Sequence, residues 1–394
     1  MTLTRSLTIP LVNPLVSPLG GDAQAIIDAK ESLVVKYPLK SDLSSDPAGS
    51  QGVLTSSQKI YKDASGKWVV ADPNSPAVTG LSTLLEGAST NKCTNYNFAP
   101  DAGLSGITDF ANMTTVRILD PDGLKEAGFF DLVNKGTSNG YYFSSTSSDT
   151  SVVRGVGIDG IVGNTNNHSC RVFVRSKLGG DFSISNGSVD FLTVSLDAGV
   201  WTEVKAEDWT PALAGNKLFL RVSPLDTIDW FGNQLEEHPV VTSPIVVSGS
   251  SATRLADDLQ LPTTGWPVND CTLFFCGYNL RDIGSNQTLF ESNNIRIYFD
   301  DSSNHFIADV GGSQSIINGF GGQNCVALQV DSSNNMTLLL GSQTGNTVSL
   351  GAPLSWGATA QLANNLTLSE SADGFYYDVK VFDSLVSIDN AVWA

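Results

Sequence analysis

The feature that most constrains this chain is its punctuation: short apolar runs, many alternating with period two, each closed by a cluster of Gly, Asn, Ser or Asp. A strand sends successive side chains to opposite faces, so such runs fit half-buried strands and leave little room for amphipathic helices. From about residue 91 to 236 the runs recur at the spacing of roughly 8–12 residues typical of β-sandwiches. Thr115-Val-Arg-Ile-Leu, Tyr141-Tyr-Phe-Ser, Ser169-Cys-Arg-Val-Phe-Val-Arg, Val189-Asp-Phe-Leu-Thr-Val-Ser-Leu and Lys217-Leu-Phe-Leu-Arg-Val are examples. Arg171, Phe173 and Arg175 alternate with Val172 and Val174, which predicts a strand with one buried and one half-exposed face.

A second series fills residues 243–394. Thr272-Leu-Phe-Phe-Cys-Gly-Tyr, Gln287-Thr-Leu-Phe-Glu-Ser, Asn294-Ile-Arg-Ile-Tyr-Phe-Asp-Asp and His305-Phe-Ile-Ala-Asp-Val read as a meander joined by Asp/Ser/Asn turns. In the last strand, period two puts Phe375, Tyr377, Val379 and Val381 on one face and Tyr376, Asp378, Lys380 and Phe382 on the other. With 394 residues the chain exceeds the ~250 at which single cores usually split. The expected fold is therefore all-β, with two antiparallel β-sandwich domains at 91–242 and 243–394.

What precedes them differs. Leu3, Leu7, Leu11, Leu15 and Leu19 repeat every four residues, and Pro10, Pro14 and Pro18 close three of the units. Proline removes a backbone donor and pushes its predecessor out of the α region, so residues 1–21 are expected to form an extended arm rather than a helix. Such an arm has no core of its own and needs apolar shelter from another surface; a loose leader is the plainer reading. Residues 22–90 then read as a short helix after Asp22 and a hairpin connector.

Forty acidic residues against 22 basic give a formal charge of -18, which repels phosphate backbones and anionic headgroups. No nucleic acid or membrane partner is expected, and no apolar run reaches the ~18 residues of a spanning helix. Cys93, Cys170, Cys271, Cys276 and Cys325 are odd in number and scattered, so free buried thiols are the default. A Cys271–Cys276 bridge is improbable because period two sends the two to opposite faces.

Catalytic chemistry is not visible. Asp257-Asp258 and Asp300-Asp301 are adjacent pairs that point apart or decorate turns, and Glu236-Glu237 sits between the domains, so no carboxylate pair flanks a cleft. The histidines His168, His238 and His305 lie in no nucleophile elbow. His168 beside Cys170 reads as a surface histidine rather than a zinc ligand, and the Asp300 and Asp331 loops read as hairpin turns rather than calcium sites. No catalytic residue, metal or cofactor is expected. The candidates for ligand stacking are Trp266, Tyr141 and Tyr142, all flanked by turn residues, and Trp201, which follows a turn and also reads as a core-edge aromatic.

Five stretches carry a family resemblance. Gly80-Leu-Ser-Thr-Leu-Leu-Glu-Gly-Ala-Ser-Thr-Asn is similar to a "GLLxEGAxTN" entry, and Ile60-Tyr-Lys-Asp-Ala-Ser-Gly-Lys-Trp to the "YvDadG" hairpin before it. Gly232-Asn-Gln-Leu-Glu-Glu-His, with His238 where the family has Gly, leads through Thr242-Ser-Pro-Ile to Thr253-Arg-Leu-Ala-Asp-Asp-Leu, similar to "GxQLEEG", "TSxI" and "TRxADxL". These resemble phage virion proteins with a carbohydrate-binding-like jelly roll and a concanavalin- or laminin G-like domain. The resemblance implies a fibre, tail appendage or capsid decoration, made in the bacterial host cytoplasm and located in the virion. It implies a homotrimer, host-surface glycans as ligands, and an arm in which Leu7, Pro10, Leu11, Pro14, Leu15 and Pro18 anchor the chain to other virion proteins. The alternatives are a polysaccharide-cleaving tail enzyme and a cement protein that binds no glycan.

Overall fold

The computed structural model describes residues 29–39, 43, 45, 51–79, 82–93, 107–119, 141–159, 166–185, 189–210, 217–245, 247, 250–278, 286–318, 323–364, 372 and 374–393. The arm at 1–21 and most of the helix expected after Asp22 lie outside these residues. The fold is all-β with antiparallel pairing, as the punctuation demands.

The first sandwich packs two five-stranded sheets face to face. One runs, in spatial order, Thr202–Trp209, His168–Ser176, Thr227–Glu236, Tyr141–Ser147, Met113–Leu119. The other runs Asp190–Leu196, Gly180–Ser185, Leu218–Val222, Arg154–Ile158, Ile107–Asp109. Val172, Val174, Ile184, Leu218, Leu220 and Trp230 fill the space between. The tight turns place asparagine where the chain turns left-handed, at Asn112, Asn293, Asn304 and Asn334, because its short side chain tolerates positive φ.

The second sandwich is built from both ends of the chain. Its seven-stranded sheet runs Val53–Thr55, Asp258–Pro262, Thr359–Leu362, Gln287–Ser292, Ile295–Asp300, His305–Val310, Ser313–Asn318. In its nine-stranded partner, Gly374–Phe382 lies between Cys271–Tyr278 on one edge and, on the other, Leu33–Tyr37 and Ser82–Leu85 end to end. Residues 22–90 are therefore not a separate connector: strands from 33–37, 53–55, 77–79 and 82–85 complete the second sandwich. The first sandwich is an insertion into the second, tethered at both of its ends.

Three local expectations change in the fold. The face of His168–Ser176 carrying Arg171 and Phe173 is buried, because the hairpin Lys59–Lys62/Trp68–Ala71 lays Ile60 and Trp68 onto Tyr142, Phe173 and Phe231. Tyr376 packs in the main core with Val379 and Val381, because a bulge opposite Phe275–Gly277 shifts the alternation by one residue. Cys276 and Cys325 face each other on neighbouring strands and form a disulfide, whereas Cys93, Cys170 and Cys271 are free and buried. That pairing joins residues 49 apart, a proximity created by the sheet and not by local spacing.

Candidate functional site: the joint between the modules and the faces it presents

The polar residues of the resemblance motifs meet in one place. Asn91, fully buried, sits where the chain enters the inserted module and uses its whole amide: Nδ2 donates to Asn233 O (3.3 Å) and Ile245 O (3.2 Å), and Oδ1 accepts from Cys93 N and Leu235 N (both 3.1 Å). Gln234 Oε1 accepts from Ile245 N (2.8 Å), and its Nε2 donates to Glu236 Oε2 (2.8 Å). Glu236 also accepts from Ser89 Oγ and from Thr242 N (2.9 Å). A polar side chain in such a place is tolerated only when its bonding capacity is filled, and here local partners and distant ones share the task.

On the side of the second sandwich, Glu86 accepts from Ser243 N (2.7 Å) and Ser243 Oγ (2.6 Å) and pairs with Arg254 (3.1 Å). The other guanidinium arm of Arg254 reaches Gly87 O (3.2 Å). Asp257 accepts from Lys59 Nζ and Glu86 N (2.6 Å), and Lys59 donates onward to Leu84 O (2.9 Å). Burial by itself would raise the Glu86 carboxyl, but Arg254, Lys59 and the Ser243 donors outweigh it and bring the pKa down to about 2. At Asp257 burial prevails over Lys59 and Arg254, and its pKa is raised. The charges on this side are thus paired with one another, and Ser243 ties Glu86 to the segment that leaves the inserted sandwich.

Asp257 and Asp258 point apart, as the sequence suggests. Asp257 faces the joint, whereas Asp258 accepts from Gln260 (2.8 Å) and Gln361 (2.6 Å) on the outer sheet face. Asp300 and Asp331 cap their own turns, accepting from Ser302 N (3.1 Å) and Ser333 N (2.9 Å). His168 corrects the expectation of a surface histidine: it is fully buried, its Nδ1 lies 2.7 Å from Asn166 O, and its ring lies 5.3 Å from Trp209. Desolvation lowers its pKa, which favours the neutral ring. Among the described residues no group of three or more His, Cys, Asp or Glu is placed to hold a metal ion.

The aromatic candidates are placed as follows. Trp266 is buried between Phe290 (6.3 Å) and Trp356 (5.1 Å, edge-on) inside the second sandwich, so its turn-flanked position does not expose it. Tyr142 is buried under the hairpin, and Trp201 lies edge-on to it at 5.7 Å, half-buried. Tyr141 opens its strand opposite Leu119, and its side chain is outside the described residues. The structure thus brings Tyr142 and Trp201 together and keeps Trp266 apart.

Beside Trp201 stands a row that sequence reasoning missed. Ser144, Asp229 and Arg175 lie opposite one another on adjacent strands. Arg175 bonds Asp229 (2.8 Å) and lies 4.8 Å from the Trp201 ring centre. Nearer the hairpin, Glu203 binds Arg171 (2.9 Å) and Lys62 (3.1 Å). Burial would raise its pKa, but Arg171, Lys205 and Lys62 bring it down to about 2. Only the alternation of Arg and Phe in 171–175 hinted at this face.

Fold and joint together define an all-β protein of two sandwiches, one inserted in the other and locked to it by buried polar groups. No protein-family model matches the chain, and no curated protein matches it. Among solved structures the chain is similar to an HCR/D mutant, at 13% identity and a TM-score of 0.28, over 35% of this chain and 40% of that one. It is also similar to a truncated AlyQ with CBM32 and alginate lyase domains, at 7% identity and a TM-score of 0.17, over 70% of this chain and 90% of that one. At these scores neither likeness bears on function.

Proposed function

We propose that the protein is a structural component of a phage virion, a fibre, tail appendage or capsid decoration, that holds two β-sandwiches as one unit for attachment to host-surface glycans. The observation that carries this reading is the joint. The residues that resemble phage virion proteins are separated by up to about 170 positions, yet Glu86, Asn91, Gln234, Glu236, Ser243, Arg254 and Asp257 form one bonded cluster. A match in scattered letters has no reason to converge in space, and a match in a structural unit does.

In this reading the N-terminal arm, through Leu7, Leu11 and Leu15 between the prolines, lies against other virion proteins, and the copies assemble as a trimer. No catalytic role is proposed: Glu236, Asp257 and Asp300 are each committed to structural bonds. The test is cryo-electron microscopy of particles carrying the intact chain or a chain lacking residues 1–20. Density for the intact chain, lost on deletion, is the expected result. Incorporation unchanged by the deletion overturns the anchor, and particles without the polypeptide overturn the virion assignment.

A further inference from the structure

The outer faces of the sheets are not equally available. The hairpin covers much of one jelly-roll sheet, and the short helical turn at Ala29 together with the C-terminal helix Ile388–Trp393 covers Phe274, Ala327 and Phe382 on the nine-stranded sheet. The seven-stranded sheet differs. Each of its strands contributes one residue to a single row: Val53, Gln260, Gln361, Glu291, Arg296, Asp309 and Gln314, every one opposite the next. From Gln260 to Gln314 the row crosses five strand spacings, about 24 Å.

Period two explains the composition. Leu259, Leu261, Leu362, Ile295, Ile297 and Ala308, which flank the row in sequence, point into the core. What stays outside is a line of amides and charges, half-buried except for the exposed Val53 and the buried Gln361. Asp258 holds Gln260 and Gln361, Asp309 holds Gln314 (2.7 Å), and Arg296 bonds Thr288 Oγ1 (2.7 Å) while lying 4.4 Å from the Tyr298 ring centre. Solubility alone would be served by flexible lysines and glutamates. Here the amide donors are aimed by carboxylates.

Gln361 supplies the independent sign. The residue is 3% exposed, its Nε2 is held by Asp258, and its Oε1 has no donor. Buried amide oxygens are mostly satisfied, and of the buried polar atoms without a partner among the described residues this is the one that lies in the row. Gln260 and Glu291, both half-buried, lie opposite it on the two neighbouring strands.

We infer that this row is a second ligand surface, for a neutral polyhydroxylated chain, an oligosaccharide without acidic groups, lying across the strands. The chemistry selects that class. A hydroxyl donates to a carboxylate or amide oxygen and accepts from an amide or guanidinium N–H, so a line of Gln, Asp, Glu and Arg fits successive hydroxyls with both roles filled. Asp258, Glu291 and Asp309 outnumber Arg296, and the chain carries -18 overall, so a polyanion is repelled. This deepens the attachment reading proposed above and rests on it.

The test uses the full chain and two variants, Gln361→Leu and Gln314→Leu, the second at a half-exposed edge position where folding is not at stake. Titration calorimetry is run with maltoheptaose, cellopentaose and mannopentaose as neutral probes and hexagalacturonate as the acidic one. The expected result is binding of a neutral probe, weakened at least tenfold in both variants, with hexagalacturonate unbound. Binding of a neutral probe that neither variant weakens overturns the surface and leaves glycan attachment standing, as does binding of hexagalacturonate alone. Absence of binding by every probe at millimolar concentration overturns this surface and counts against glycan attachment by either module.

Discussion

Replacing Arg254 by Met tests whether the joint is held by its ion pairs. Arg254 is 3% exposed; the substitution removes the pair with Glu86 and the bonds to Ser243 Oγ and Gly87 O, and leaves the Glu86 carboxylate buried without a guanidinium. Removing one partner of a buried pair costs about 3–5 kcal/mol, chiefly the desolvation of the charge left behind. The pH dependence gives a second handle. Glu86 titrates at about 2 in the folded chain against 4.5 as its ordinary value, so its contribution is complete above pH 4.5 and is lost as the pH falls toward 2. At ~1.4 kcal/mol for each pH unit, that contribution is about 3 kcal/mol. Asp257 works in the opposite sense: its raised pKa means acidification relieves it, so within the joint the acid limb comes from Glu86, while Glu203 adds to the limb of parent and variant alike. Urea unfolding followed by tryptophan fluorescence, repeated from pH 7 to pH 2.5, is the assay. Arg254→Met is expected to lose about 3–5 kcal/mol at pH 7 and to show a flatter acid limb. Glu86→Gln with Arg254→Met is expected to recover part of the loss, since no charge is stranded. A loss under about 1 kcal/mol for Arg254→Met, or an acid limb as steep as in the parent, refutes the reasoning.

Two further outcomes follow from the second sandwich. Cys276→Ser with Cys325→Ser opens a 49-residue loop and is expected to cost up to about 4 kcal/mol on the chain-entropy account, read as a lower urea midpoint, with intact-mass spectrometry of the parent showing one disulfide. Lys380 donates to Ala391 O (2.8 Å) and Val392 O (3.2 Å), and burial lowers its pKa from 10.5 to about 8. Its folded form releases the proton more readily than the unfolded chain does, so stability rises between pH 8 and 10.5. Relative to Lys380→Met, the parent is expected to gain up to about 3 kcal/mol over that range, and equal slopes in parallel unfolding titrations contradict this.

Strand positions were legible because they depend on local alternation and on turn residues, both written in consecutive letters. What was not legible is set by distant parts of the chain. Tyr142 reads as a surface ring because nothing near it announces a cover; the cover is Trp68, on a hairpin more than 70 residues upstream, and Trp201 lies at the edge of the same cluster, as its core-edge reading allows. Trp266 is flanked by Thr263, Gly265 and Pro267, a turn by every local sign, yet its ring enters the core between Phe290 and Trp356. Cys276 and Cys325 meet only through a sheet register, and Tyr376 changes face only because of a bulge. The outer row of the seven-stranded sheet escaped notice for the same reason: Gln260, Gln361 and Glu291 become neighbours only once strands from distant parts of the chain are aligned. The joint motifs were visible as a resemblance, but their bonding was not.

The insertion topology gives those motifs their physical purpose. An inserted module is tied to its host at two points, here near residues 86–92 and 237–254, so rotation about a single linker is already excluded. Two tethers alone would still permit rocking, since interfaces between domains in one chain are commonly polar and modest in size. Rocking here would separate Asn91 from Leu235 and Glu86 from Ser243, leaving a buried amide and a buried carboxylate short of partners. Each such orphan costs roughly 1–3 kcal/mol, more for a charge, so a small rotation that breaks several at once is opposed far more steeply than hydrophobic contact alone would oppose it. Apolar packing tolerates sliding, whereas directional hydrogen bonds such as those of Asn91 and Gln234 hold in a narrow range of geometries. The polar joint therefore fixes the angle at which the outer face of the inserted sandwich and the outer row of the seven-stranded sheet are presented, as the attachment role proposed above requires.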